Sequence, residues 1–315
     1  MPNNIPEAGA SPSFAMLSVL IPVFNFDVRA LVQDLHRQLV AADISFEIIC
    51  FDDDSTPPFK NINRPLANRS AHIRYTELPH NVGRARIRNL LAAAAQCPWL
   101  LFMDCDSKVV SNDYIKQYIN HLQNNTVLCG GRCYSPTPPP NPDLYLHWLY
   151  GRQREQMPAD QRKQKPWHAF MSNNFLVPKA IFEATGFDER IVQYGHEDTL
   201  LGLELQQRGV PILHLDNPLE HLGLETNTVF LEKTRQGIQN LMQLIEIYPN
   251  LETKLLRSYQ FLSHWRLVAS VRIALRLLRP LLLQNLKSRR PWLRCLDLYK
   301  LLLLLEEKAR KKASE

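Results

Sequence analysis

The run Leu100-Leu101-Phe102-Met103, followed at once by Asp104-Cys105-Asp106-Ser107, restricts the fold more than any other stretch of this chain. Four consecutive apolar residues ending in a turn signal read as a strand buried on both faces, which requires helices on both sides of a sheet. Asp-x-Asp at the end of such a strand lifts two carboxylates out at the C-terminal edge, where open α/β sheets bind ligands. Two hard oxygen donors there suit Mg²⁺ or Mn²⁺. The same residues also make ordinary turns, so the remaining sequence has to decide.

The pattern repeats. Met16-Leu17-Ser18-Val19-Leu20-Ile21-Pro22-Val23-Phe24-Asn25 is a β run closed by Pro and Asn, and Val28 to Ala42 has apolar residues near helical spacing. Phe46 to Phe51 is a second strand, ended by Asp52-Asp53-Asp54-Ser55. His72 to Glu77 is a weaker strand, Asn81-Val82-Gly83 a turn, and Arg84 to Gln96 a helix leading into the strand at Leu100. Strands alternating with helices predict an α/β fold with a mostly parallel sheet. In a parallel sheet the two acidic clusters share one edge, and clustered acids need a cation or hydrogen-bond donors to offset their repulsion. No Gly-x-Gly-x-x-Gly and no Walker lysine follows any strand, which leaves a dinucleotide site or a P-loop without support.

Apolar residues make up 45% of the 315, enough for a sizeable core. Residues 1–15 have neither a basic start nor an apolar core, so they read as a loose tail rather than a signal peptide. The six cysteines complete no zinc pattern and are expected to be reduced thiols of a cytoplasmic protein. Positive charge is concentrated at the end: Arg257 to Glu315 carries fourteen Lys and Arg against four acids, while the residues before it are net acidic. A basic tail of this kind points to an anionic partner.

Four motifs in order resemble those of family 2 glycosyltransferases, which have the GT-A fold. Ser18 to Asn25 resembles the opening strand of that family. Phe51-Asp52-Asp53-Asp54-Ser55 resembles its Val-Asp-Asp-Gly-Ser, with Asp54 where Gly is usual. Asn81-x-Gly83 with Arg88-Asn89 resembles its Asn-x-Gly…Ala-Arg-Asn, with Ile87 in place of Ala, and Asp104-Cys105-Asp106 resembles its Asp-x-Asp. The match runs from about Leu17 to Asn227.

The resemblance implies a GT-A-like domain over 16–228 with a nucleotide-sugar site. Pro22, Val23 and Asn25 would lie beside the nucleotide, Asp52 and Asp53 would hold its base and ribose, and Arg88 would face the nucleotide or diphosphate. Asp104 and Asp106 would meet the metal and the sugar nucleotide, with Mn²⁺ or Mg²⁺ as cofactor. Asn173 or Asn174, in an apolar run returning to the site, would touch donor or acceptor. His221 would be a third metal or diphosphate ligand.

Glu197 and Asp198 open a segment with helical spacing, where acids also suit the helix dipole. Likeness to the Gly-x-Glu-Asp pattern of the family makes Asp198 the catalytic base and places Glu197 on the acceptor. Ser135 to Lys165 is expected to be a long loop, with Trp148, Tyr150 and Trp167 either packed or stacked on sugar rings.

Residues 229–315 read as a helical extension broken near Pro249, Pro280 and Pro291. Arg272, Arg276 and Arg279 form a basic stripe beside an apolar one of Leu275, Leu278 and Leu282, and Leu301 to Leu305 adds a greasy patch. Without an uncharged run long enough to span, the extension is expected to lie on an anionic membrane surface or to pack as a subdomain, with a homodimer left open.

The function implied is a metal-dependent inverting transferase. It would move a sugar from a nucleotide-sugar, UDP-linked in this reading, to a glycan or lipid-linked acceptor in cell-surface polysaccharide synthesis, at the inner membrane face. Two rivals remain: a non-catalytic glycan- or membrane-binding protein on a decayed transferase fold, and a nucleotidyltransferase, which would want a Gly-rich loop after the first strand. No nucleic-acid partner is expected, because no base-reading module is present.

Overall fold

The computed structural model describes residues 16–190, 195–248, 251 and 253–314; the tail at 1–15 and the helix break expected near Pro249 lie outside the described residues. Among the described residues ten strands are formed: β1 (Met16–Val23), β2 (Ser45–Asp52), β3 (Ile73–Glu77), β4 (Trp99–Met103), β5 (Ser107–Val109), β6 (Val127–Cys129), β7 (Arg132–Cys133), β8 (Asn174–Pro178), β9 (Ile212–His214) and β10 (Leu219–His221). The helices are α1 (Arg29–Ala41), α2 (Pro57–Asn63), α3 (Arg84–Ala94), α4 (Tyr114–Ile119), α5 (Tyr145–Tyr150), α6 (Ala159–Arg162), α7 (Lys179–Thr185), α8 (Glu197–Gln207), α9 (Asn227–Ile247), α10 (Lys254–His264), α11 (Val268–Leu286) and α12 (Leu293–Ser314).

Seven strands make the main sheet in the order β3-β2-β1-β4-β8-β6-β9. β3, β2, β1 and β4 run parallel, β8 runs antiparallel between β4 and β6, and β9 is parallel to β6. β4 is buried from Leu100 to Met103. One core fills the face covered by α1 and α4, and another fills the face covered by α3, α7 and α8. The parallel half thus has the two-sided burial that its continuous apolar strands demand.

A second, three-stranded sheet, β5-β10-β7, stands at the C-terminal edge of the first. β10 pairs antiparallel with β5, Ser107 opposite His221, and parallel with β7, Leu219 opposite Arg132. Segments distant in sequence therefore meet just beyond the end of β4.

A third core ties Leu146 and Leu200 to α9, α10 and α12, so the C-terminal helices pack on the sheet domain. Three expectations need correction. Ser135 to Lys165 is not one long loop: α5, a π turn at Gly151–Glu155 and α6 occupy much of it, because Leu146, Trp148 and Ala159 are buried. Pro280 does not break α11; it projects to solvent, where water can take the carbonyl it leaves free. The greasy patch is core, with Leu302 to Leu305 all buried.

Candidate active site

A cleft of about 1420 Å³ opens at the C-terminal edge of the main sheet and extends to the C-terminal helices. Pro22, Val23, Phe24 and Asp53 line one end, from the loops after β1 and β2. These loops are tied together. Asn25, with a left-handed φ of 49°, accepts hydrogen bonds from the Thr56 backbone and hydroxyl and donates its N–H to Ser55. Asn tolerates that conformation through its short polar side chain. Its side chain braces the loop rather than lining the cleft.

The first acidic cluster divides by function. Asp52, the last residue of β2, is fully buried and accepts hydrogen bonds from the Ser55 N–H and the Tyr75 hydroxyl. It holds the loop and does not line the cleft. Asp53 accepts from the backbone N–H groups of Val82 and Gly83, while Asn81 donates to the Asp53 carbonyl. Burial raises the Asp53 pKa against the pull of those two N–H groups. Asp53 thus fixes the turn that starts α3. Asp54 has a φ of 61°, a region glycine enters freely and Asp enters tolerably. The residue that departs from the family pattern keeps the backbone shape, and it pairs with Lys60 at 2.6 Å.

α3 delivers Arg88, whose guanidinium donates to Asp104 at 2.6 Å and lies over the Phe187 ring. Arg132 donates to the other Asp104 oxygen at 3.2 Å and to Glu155 at 3.2 Å; Glu155 also accepts from the Tyr134 hydroxyl. Burial alone would raise the Glu155 pKa, but Arg132 and that hydroxyl hold it low. The result is an alternating chain, Arg88–Asp104–Arg132–Glu155–Tyr134. Sequence reading passed over Arg132, Tyr134 and Glu155. The available signal was Gly130-Gly131 after an apolar strand. Gly131 has a φ of 88°, and a Cβ on Gly130 would lie 2.4 Å from the Asn217 carbonyl oxygen.

Asp104 and Asp106 are therefore not equivalent. Both oxygens of Asp104 are engaged by guanidinium groups, which leaves it poorly placed as a metal ligand. Asp106 faces His221, with His221 Nδ1 3.4 Å from Oδ1, and that buried oxygen has no hydrogen-bond partner. A Cβ on Gly223 would fall 2.1 Å from Asp106 Oδ2, so only glycine lets the chain pass there. Burial works against the charge on Asp106, but His221, Arg132 and Arg84 outweigh it and lower its pKa.

An orphaned carboxylate oxygen beside an imidazole fits a divalent cation that takes its other ligands from a diphosphate and water. No group of three or more His, Cys, Asp or Glu is gathered for a metal among the described residues. His147 backs His221, ring centroids 5.4 Å apart, and its Nδ1 accepts from the Glu225 N–H, which puts the proton on Nε2. Burial and then His221 push its pKa down to about 4, so it is neutral.

α8 brings Glu197 and Asp198 to the same edge, after Gly195 and His196 in left-handed conformations. Glu197 lies 3.6 Å from Arg84 and lines the cleft. Burial, then repulsion from Glu197, pushes the Asp198 pKa up to about 6, while Ser172 and Arg88 oppose the rise. A carboxylate tuned toward neutrality is suited to proton transfer, and Asp198 sits next to the cleft-lining Glu197 without lining the cleft itself. Asn173 is buried outside the cleft lining. Its carbonyl accepts from the Asp104 N–H, and its side-chain oxygen is unpartnered. His214 is held by Arg162 and the Pro166 carbonyl, a structural role. Trp148 and Trp167 donate their indole N–H groups to backbone carbonyls and pack, whereas Tyr150 lines the cleft under Lys300.

Comparison with known proteins gives a consistent picture. The family model described as Glycosyl transferase family 2 matches residues 18–186. Validoxylamine A glucosyltransferase of Streptomyces hygroscopicus subsp. limoneus is 28% identical over 239 residues, covering 66% of this chain and 51% of that protein. An uncharacterized glycosyltransferase of Haemophilus influenzae is 28% identical over 117 residues, 37% of this chain and 46% of its own length. The chain spans about half the length of the curated relatives it matches. Among solved structures, a mannosyltransferase from Pyrobaculum calidifontis, in complex with GDP-Man and Mn²⁺, is similar with a TM-score of 0.52 at 13% identity. That likeness covers 76% of this chain and 66% of the other, and it is one of fold.

Proposed function

Given that the chain belongs to glycosyl transferase family 2 and is a glycosyltransferase with the GT-A fold, we propose that it moves a hexosyl group from a nucleotide-sugar, UDP-linked in our reading, to a hydroxyl of a glycan or lipid-linked acceptor, with inversion. The observation that carries this reading is the desolvated Asp198 carboxylate at the same sheet edge as the Arg88–Asp104–Arg132 clamp.

In this reading the nucleotide lies against Pro22 to Phe24 and Asp53, and the diphosphate faces Arg88 and Arg132. Mn²⁺ or Mg²⁺ would be held by Asp106 and His221 and would offset charge on the diphosphate. Asp104 aims the two arginines. The acceptor enters from the side of Tyr150, Phe230 and Lys300, and Glu197 meets its hydroxyls. Asp198 takes the proton of the attacking hydroxyl as the new oxygen–carbon bond forms at the anomeric centre. The bond from that carbon to the phosphate oxygen breaks on the opposite face, and the nucleoside diphosphate leaves.

Support for a nucleotide-sugar donor comes from the fold neighbour solved with GDP-Man and Mn²⁺. Calorimetric titration of UDP, GDP and CDP, each with and without Mn²⁺, into wild type and Asp106→Ala tests the reading. Binding of one nucleotide that needs both the metal and Asp106 is expected. A folded protein that binds none of them would leave the decayed-fold reading in its place.

A further inference from the structure

The C-terminal helices carry a surface that sugar transfer does not use. From Thr253 to Leu296 the chain holds ten Lys and Arg and no Asp or Glu. α10 and α11 form a hairpin joined through Trp265-Arg266-Leu267. One side of α11 packs inward: Leu275, Leu282 and Leu286 are buried, and Leu275 clusters with Leu302 and Leu305 of α12. The opposite side carries a second apolar row beside the arginines. Ile273, Leu277 and Leu281 recur every fourth residue and are 59%, 77% and 61% exposed. Phe261 and Trp265 add two exposed rings, 6.4 Å apart between centroids. A contiguous row of exposed large apolar side chains marks an interaction surface on a folded protein, so this face calls for an occupant.

Charge decides which one. Arg279 pairs with Glu306, but Arg257, Arg266, Arg272, Arg276, Lys287, Arg289 and Arg290 form no ion pair among the described residues. A second copy would set like charges against like. A soluble polyanion would leave the apolar row in water. An anionic bilayer satisfies both features: the leucines enter the acyl boundary, Trp265 sits at headgroup level, and the arginines meet lipid phosphate. No helix among the described residues is long and apolar enough to cross a membrane, which fits a hairpin lying in the surface.

The cleft is connected to this face. An apolar groove of about 400 Å³ is lined by Arg257, Ser258, Phe261, Leu262, Val271 and Leu301, and Ser258 and Leu301 also line the catalytic cleft. We propose that the α10–α11 hairpin docks on an anionic lipid bilayer. On the transferase reading above, that sets the outer mouth of the cleft at the lipid surface, where a lipid-borne acceptor would arrive.

The test is co-sedimentation of the full chain with vesicles of phosphatidylglycerol and phosphatidylcholine, against vesicles of phosphatidylcholine alone. Wild type should bind the anionic vesicles, and added salt should weaken that binding. Leu277→Glu/Leu281→Glu, at two highly exposed positions, should fold normally and lose vesicle affinity on the order of a hundredfold. Arg266→Gln/Arg276→Gln should lose roughly twenty-five-fold, about fivefold per cation.

Equal binding of both vesicle types, binding of neither, or wild-type binding by the Leu277/Leu281 variant would overturn the proposal. So would a wild-type dimer that this variant makes monomeric, or duplex DNA bound as tightly as the vesicles. Nucleotide titration of the same samples reports the donor site separately, so failure of docking and failure of the transferase reading are distinguishable.

Discussion

Replacing Asp198 by Asn tests whether burial has set this carboxylate for proton transfer. Burial and the Glu197 charge raise its pKa from 3.8 to about 6. At ~1.4 kcal/mol per pH unit, ionised Asp198 destabilises the folded chain by at most about 3 kcal/mol. The opposing effect is the helix dipole, which rewards an acid in the first turn of α8 by about 0.3–1 kcal/mol. Burial wins, leaving a net penalty of roughly 2 kcal/mol.

The sign follows from the raised pKa. The penalty is absent below the unfolded value, grows as pH rises from 3.8 toward about 6, and is complete above that. Urea denaturation should therefore find Asp198→Asn more stable than wild type by roughly 2 kcal/mol at about pH 7.5 and equal to it at about pH 4. The same variant should lose roughly 10²–10⁴ in transfer rate. Wild-type kcat/KM should fall about tenfold per pH unit below about 6. If Asn instead destabilises the protein at neutral pH, the carboxylate is a structural element of the helix start and the reasoning fails.

Arg132→Met leaves Asp104 and Glu155 facing each other without the cation between them and should cost about 3–5 kcal/mol in urea denaturation; adding Glu155→Gln should recover part of it. Gly223→Ala would drive a methyl group into Asp106, so Mn²⁺-dependent nucleotide binding should weaken at least about tenfold by calorimetry, and the overpacking should also cost about 1–3 kcal/mol in urea denaturation. Asp54→Gly relieves about 1 kcal/mol of left-handed strain and loses an exposed ion pair worth less than about 1 kcal/mol, so stability should change little. Nucleotide binding should be unaffected, and a marked loss would mean that Asp54 touches the donor.

The sheet edge was legible in the sequence because apolar runs ending in acids leave few alternatives. β2 and β4 do end on one edge of the sheet, flanking β1, as Asp52–Asp54 and Asp104–Asp106 implied. Which acid faces the ligand was not legible. Asp52 and Asp53 are consecutive, so the strand's alternation sends one to Tyr75 and the other to the turn before α3. Asp104 and Asp106 looked like a matched pair until Arg132 arrived from β7 to claim Asp104.

The stretch around Glu155 was hidden by its prolines, whose effect ends at Pro142. In α11 the sequence offers two apolar stripes, and only packing on α12 tells them apart. Leu275 and Leu282 turn inward, Ile273, Leu277 and Leu281 turn outward, and Arg279 leaves the basic stripe to pair with Glu306.

The small sheet has a consequence for how the protein comes to be active. Lys108 and Glu220, neighbours across β5 and β10, are 112 positions apart. β1 to β3 need only adjacent strand–helix–strand crossovers, and one longer crossover carries the chain from β3 to the far side of β1 to make β4, so these four can form early on a growing chain. Asp106 gains His221 only after β6 to β9 have been made and the chain has returned. Long loops add little to the equilibrium cost of closure but slow the search for the closing contact. In refolding, circular dichroism should recover before nucleotide binding does, because the last piece of the structure to assemble is the one that completes the site.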